Sequence, residues 1–285
     1  MRRLKLVTLF ILATATAMAQ TVVHLPGTSA TLECYTAEQC TAASSDNSPR
    51  SALRPTLSVV VCPGGSYSWL DYQVEGVDVA RWLQAHGISA YVLRYRVQGW
   101  WAWATHYRLL FRGHKYPDPL HDAETALDWL AAHSDSLGIN PDGIGIMGFS
   151  AGGHLASTIA THSVKDAKPN FQILFYPVIT MMPDITHKGS HDNLLGNHAR
   201  TKLEREYSND MQVSRLTPRA WIALSDDDHA VLPANGVSYY QACYKQDVPA
   251  SLHVYPTGGH GWGMRSSFKY HIEMLLELKA WLQSF

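Results

Sequence analysis

The sequence has almost no excess charge of either sign. Lysine and arginine number 23 against 24 aspartates and glutamates, so the 285-residue chain carries a formal net charge of −1. That balance leaves no basic stripe for nucleic acid and no polybasic patch for an anionic membrane. Cysteine is also scarce. Four in the whole chain are too few for a disulfide scaffold. None forms a C-x-x-C pair, the spacing of a thiol redox couple or a structural zinc site. Long apolar runs are missing too: no segment reaches the length of about 18 residues that a membrane-spanning helix needs. Disorder is excluded by the opposite argument, because 46% of the residues are hydrophobic, an ordinary globular share.

The first residues read as an address. Arg2, Arg3 and Lys5 precede a short apolar stretch, and Ala17-Met18-Ala19 is a small-residue cleavage signature. Residues 1–19 are therefore expected to be a signal peptide and residues 20–285 a single domain, soluble in the periplasm or outside the cell. Export changes how the cysteines read. Cys34 and Cys40 lie six apart in a polar segment, which suits either a small disulfide loop or two free thiols. Cys62 and Cys243 sit in apolar patterns and read as buried small hydrophobes.

Strand and helix patterns then alternate. Residues 57–62, 88–95, 144–147, 172–176, 220–224 and 252–255 read as strands. Residues 77–86, 120–131, 152–161, 234–244 and 268–282 read as helices, the first stopped by Gly87. Residues 21–25 and 30–35 add two short β-like pieces. This alternation predicts an α/β fold with a mostly parallel sheet covered by helices on both faces. Two stretches look irregular: residues 98–119, rich in aromatics, and residues 180–218, rich in His, Asn and Asp. Such excursions are where sites form.

Gly148-Phe149-Ser150-Ala151-Gly152 is a G-x-S-x-G pentapeptide between a buried strand and a helix. The turn lifts the Ser150 hydroxyl above the sheet, and the helix that begins there turns its amides toward developing negative charge. Gly143, Gly145 and Gly148 also satisfy a dinucleotide G-x-G-x-x-G, but the first two fall in or before the strand rather than in a turn after it. A serine nucleophile needs a base, and the base needs a carboxylate. In the chain order Ser, acid, His, the acid falls among Asp226, Asp227 and Asp228 after one strand. The base falls at His260 in Gly258-Gly259-His260-Gly261 after the next. Asp228 is favoured because Asp-x-x-Val precedes a helix; Asp227 is the alternative. Backbone donors for an oxyanion are expected from Gly65 and Ser66, in Pro63-Gly64-Gly65-Ser66-Tyr67 after the first parallel strand, and from Ala151.

These motifs carry a family resemblance. They are Val61-Cys62-Pro63-Gly64-Gly65-Ser66-Tyr67, Glu75-Gly76, Leu93-Arg94-Tyr95-Arg96, Pro119-Leu120-His121-Asp122-Ala123 and the run from Gly148 to Ala156. Tyr176-Pro177-Val178-Ile179, Asn193-Leu194-Leu195-Gly196, Asp227-Asp228 and Gly258-Gly259-His260-Gly261-Trp262-Gly263 complete the set. Over residues 58–282 the chain resembles the α/β-hydrolase fold, within the esterase and lipase group that holds acetylxylan-esterase-like and feruloyl-esterase-like proteins of polysaccharide-degrading bacteria. The resemblance implies removal of acetyl or related acyl groups from carbohydrate, with no metal or other cofactor. The chain departs from the pattern at Ser66, where a third glycine is usual, and in residues 98–119, which run longer than usual.

Trp100, Trp101 and Trp103, with Tyr107, suit either a sugar-stacking wall or a hydrophobic plug. Trp262, next to the His260 loop, joins them as a candidate substrate contact. His187 and His191 are four apart, but Lys188, Gly189 and Ser190 between them read as a loop, against a metal site. His154 reads as a hydrogen-bonded core histidine, and Asp122 as a structural acid. Two rival functions remain at this stage: a serine peptidase of the same fold and a non-catalytic carbohydrate-binding protein.

Overall fold

The computed structural model describes residues 21–37, 57–99, 113–162 and 168–285. Residues 1–19, expected as a signal peptide, and Cys40, Trp100, Trp101, Trp103 and Tyr107 lie outside these residues. Eight strands form one sheet: β1 (Thr21–His24), β2 (Thr31–Tyr35), β3 (Ser58–Cys62), β4 (Ser89–Arg94), β5 (Ile144–Phe149), β6 (Phe171–Phe175), β7 (Arg219–Ser225) and β8 (Ala250–Tyr255). Their order is β1-β2-β4-β3-β5-β6-β7-β8. β2 runs antiparallel to β1 and β4, and every other pairing is parallel.

The central strands β3, β5 and β6 are buried along their whole length because both faces are covered. In β3, Val59 and Val61 point into one core layer and Val60 and Cys62 into the other. The first layer is closed by α1 (Asp78–Ala85) through Val79, Ala80 and Leu83, and by the C-terminal helix (His271–Leu282) through Met274, Leu278 and Leu282. The second is closed by α2 (Asp118–Ala132) through Ala123, Ala126, Leu127 and Leu130, and by α3 (Ala151–His162) through Leu155, Ala156 and Ile159. This alternation is the period of two that makes a sheet buried on both sides.

Cys62 and Cys243 are fully buried, and burial pushes both thiols up, Cys243 to about 12. Cys34, on β2, carries a free thiol. Gly145 lies inside β5, where a Cβ would come 2.1 Å from the Phe171 ring, so this glycine serves strand packing. Asp122 is fully buried and takes Arg96 Nη2 at 2.8 Å and Thr28 Oγ1 at 2.5 Å, tying α2 to the start of the sheet.

One expectation fails here. The segment between His187 and His191 is not a loop: Lys188–Leu194 is a helix, α4. Glycine and serine have low helix propensity, but they occupy its first turn, where His187 serves as N-cap and accepts the Ser190 amide through its side chain. His191 then bridges Asp192 at 2.8 Å and Glu204 at 3.1 Å, and Glu204 belongs to a second short helix, Thr201–Glu206.

Candidate active site

The chain winds outward from β3 to β4 and then returns past β3 to β5. Ligand crevices open at the strand C-termini beside such a reversal. Register places the parts. Cys62 pairs with Gly148, so the loop after β3 begins alongside the turn after β5. At the other side Ser225 pairs with Tyr255, which brings the aspartates after β7 against the histidine loop after β8.

The turn after β5 is tight enough to dictate its sequence. Ser150 sits at φ 51°, the left-handed region that non-glycine residues seldom adopt. A Cβ at Gly148 would lie 2.1 Å from the Gly152 carbonyl oxygen, and one at Gly152 would lie 2.0 Å from the Cys62 carbonyl oxygen. Helix α3 therefore starts in contact with the backbone of β3.

Ser150 Oγ is 2.8 Å from His260 Nε2, and His260 Nδ1 is 2.7 Å from Asp228 Oδ2. Since the carboxylate only accepts, Nδ1 carries the proton and Nε2 is left bare toward the hydroxyl. Asp228 is 1% exposed, and its second oxygen accepts the amides of Ala230 and Val231 at 2.9 and 3.0 Å. Asp227 turns elsewhere and accepts the Gly259 amide at 2.8 Å.

The loop after β3 crosses in front of this chain. A Cβ on Gly64 would meet the Ser150 Cβ at 3.0 Å. Gly65, Ser66 and Tyr67 all have positive φ, at 130°, 56° and 57°. Ser66 thus holds a conformation that glycine takes without cost. The amides of Gly65, Ser66 and Ala151 have no hydrogen-bond partner among the described residues. The loop is braced from two sides. Asn193 Nδ2 donates to the Ser66 carbonyl at 2.8 Å, and Gln98 Nε2 donates to the Asn193 carbonyl at 2.7 Å. Tyr67 Oη donates to His154 Nδ1 at 2.8 Å, and His154 Nε2 donates to the Tyr207 carbonyl at 2.8 Å. Burial pulls the His154 imidazole down to about 4, which keeps it neutral.

Trp262 is 4% exposed, stacks on Phe268 at 4.1 Å and donates its indole N–H to Ser225 Oγ at 3.0 Å. Its ring is used up by the core, so the expected substrate contact is corrected to a support for the His260 loop. Trp69, 57% exposed, offers an aromatic ring beside this loop, and its amide bonds to the Gly65 carbonyl at 3.1 Å. Sequence reasoning passed over it in favour of the tryptophan cluster at residues 100–103. Its signal was its place three residues after Ser66, in the donor loop itself. His187 also faces this area; burial, and then the charge of His260, depress its imidazole.

The alpha/beta hydrolase fold family matches residues 101–264. The chain belongs to that family. Among its relatives, an acetylxylan esterase of Xylanibacter ruminicola is 39% identical over 231 residues, 80% of this chain and 45% of the relative. An endo-1,4-beta-xylanase B of Butyrivibrio fibrisolvens is 30% identical over 71% of this chain and 32% of its own. This α/β hydrolase therefore spans less than half the length of either curated relative. Among solved structures, the acetyl ester-xyloside bifunctional hydrolase of Caldicellulosiruptor lactoaceticus superposes with a TM-score of 0.77 at 32% identity, over 90% of this chain and 89% of that one.

Proposed function

We propose that this α/β hydrolase is a serine carboxylic-ester hydrolase that removes acetyl groups from acetylated plant polysaccharide or oligosaccharide such as acetylxylan. The observation that carries the reading is the unbroken hydrogen-bonded chain from Ser150 through His260 to buried Asp228, beside three amides with no hydrogen-bond partner among the described residues. The names of the 39% identical relative and of the xyloside hydrolase support the acetylated-xylan substrate.

Ser150 Oγ attacks the ester carbonyl carbon while His260 Nε2 takes its proton, and Asp228 stabilises the imidazolium. The carbonyl π pair moves onto oxygen, held by the amides of Gly65, Ser66 and Ala151. Collapse of this intermediate breaks the bond to the sugar oxygen, which leaves with the proton from His260. Water then adds to the acyl-enzyme, again giving a proton to His260, and acetic acid leaves as Ser150 regains its hydrogen. Export by the leader at residues 1–19 places the enzyme with its substrate outside the cytoplasm. Among the described residues no helix is long and apolar enough to cross a membrane.

The test is Ser150→Ala. It lowers kcat on p-nitrophenyl acetate by roughly 10⁴–10⁶-fold with the fold intact, and it abolishes labelling by a fluorophosphonate. Acetate released from acetylated xylo-oligosaccharide by the wild type, and not by the variant, fixes the substrate class. Near-normal turnover by the variant sinks the assignment.

A further inference from the structure

Glu75 takes no part in the steps above, yet it is 3% exposed and lies directly behind the site. It sits in a π-helical turn, Gln73–Val77, a wide turn that often marks functional positions. Both of its oxygens accept. Oε2 takes the Gly64 amide at 2.8 Å, and Oε1 takes the Tyr176 hydroxyl at 2.7 Å. The Tyr176 oxygen in turn accepts the Gly263 amide at 2.8 Å, and its ring meets the His260 imidazole edge-on at 4.8 Å. Gly64 adjoins Ser150, and Gly263 lies three residues past His260. One carboxyl group therefore grips both loops that converge on the nucleophile, the donor loop directly and the histidine loop through Tyr176.

We propose that Glu75 is a positioning residue whose carboxylate ties the donor loop at Gly64 to the His260 loop through Tyr176, so that hydrolysis requires Glu75 to be ionised as well as His260 neutral. The inference rests on the ester-hydrolase reading above. Its chemistry is a matter of donors and acceptors. The Gly64 amide only donates. Tyr176 must donate to Glu75, because its own oxygen is occupied by Gly263 and burial holds its hydroxyl far above the usual range. A carboxylate satisfies both donors. A proton on Glu75 makes one oxygen a hydroxyl, a weaker acceptor whose O–H must turn away from the donor it faces, and one of the two ties is weakened.

The charged and titratable groups around Glu75 place this change near neutral pH. Asp71 stands nearby, itself 3.7 Å from Arg265. His260 and Tyr176 face it from the histidine side, and Tyr95 donates to the Pro63 carbonyl at 2.7 Å. Burial pushes the carboxyl up to about 7; the Tyr176 and Gly64 hydrogen bonds pull it down, Asp71 raises it and His260 lowers it.

The test is the pH profile of kcat/KM on p-nitrophenyl acetate for the wild type, Glu75→Gln and Tyr176→Phe, with folding checked by thermal unfolding. Two required ionisations give the wild type an acid limb steeper than one decade per pH unit. Glu75→Gln lowers the plateau kcat about 10- to 100-fold, with KM little changed, and its acid limb falls to one decade per unit. Tyr176→Phe lowers kcat and its acid limb also falls to one decade per unit, since with one donor gone a protonated Glu75 still accepts the Gly64 amide. Should Glu75→Gln fail to fold, the wild-type slope and Tyr176→Phe still decide. A wild-type limb of one decade per unit, or a folded Glu75→Gln with unchanged kcat, overturns the proposal while Ser150-dependent hydrolysis stands. Loss of the ester-hydrolase reading shows separately, as hydrolysis that survives Ser150→Ala.

Discussion

Asp227 and Asp228, adjacent in the chain, hold the same loop at two different points: Asp227 at the Gly259 amide and Asp228 at the His260 imidazole, at 2.8 and 2.7 Å. Their substitutions are therefore expected to separate sharply. Asp228→Asn leaves the imidazole without its orienting acceptor and lowers kcat by about 10⁴-fold. Asp227→Ala loosens the loop but spares the proton path, and costs about tenfold. Steady-state kinetics on p-nitrophenyl acetate measure both. Equal losses would reverse the division of labour.

The turn around Ser150 leaves no room for a side chain at position 148 or 152. Gly152→Ala drives a methyl to within 2.0 Å of the Cys62 carbonyl oxygen, a backbone atom that cannot swing away. Destabilisation of about 3 kcal/mol or more is expected, at the upper end for overpacking. Gly148→Ala meets the Gly152 carbonyl oxygen in the same way. Urea unfolding midpoints give the comparison.

His154 and Glu75 pull stability in opposite directions with pH. Burial lowers the folded-state His154 value to about 4 from 6.5. Its contribution is full above pH 6.5 and is lost as pH falls toward 4, a change on the order of 3 kcal/mol. The folded-state Glu75 value is raised to about 7 from 4.5. Its contribution is full below pH 4.5 and is lost as pH rises toward 7. His154→Gln should flatten the acid side of a stability profile measured by urea unfolding, and Glu75→Gln should flatten the neutral side. A profile in which each variant flattens the other side would contradict these signs.

Trp69 offers an exposed ring on the loop that carries the proposed oxyanion donors. Trp69→Ala is expected to raise KM for acetylated xylo-oligosaccharide about tenfold, the scale of one aromatic contact, with kcat nearly unchanged. A fall in kcat at constant KM would assign the ring a role in the loop's shape instead.

Much of this arrangement was legible in the sequence because it is written locally. The glycines around Ser150, the glycines around His260 and the strand before each loop are contiguous signals, and the structure brings Ser150, His260 and Asp228 within hydrogen-bond reach. What escaped is non-local. Helix Lys188–Leu194 begins with residues of poor helix propensity and depends on a cap from His187. The burial of Trp262 depends on Phe268 and Ser225, one of them 37 residues away. Glu75 enters the sequence reading only in the Glu75-Gly76 pair of the resemblance, without a role, because its partners lie 11 and 101 residues away.

The contact of Gly152 with the Cys62 carbonyl has a mechanical consequence. The proposed nucleophile and oxyanion donors are anchored to one frame, the β3–β5 pair, and a flexing of the sheet carries them together. The proposed base stands on the β7–β8 frame, with β6 between the two. Alignment of the proposed proton path is thus governed by the stretch of sheet between these two pairs, and polar ties that cross it, such as Tyr176 to Glu75, set how much play the site has.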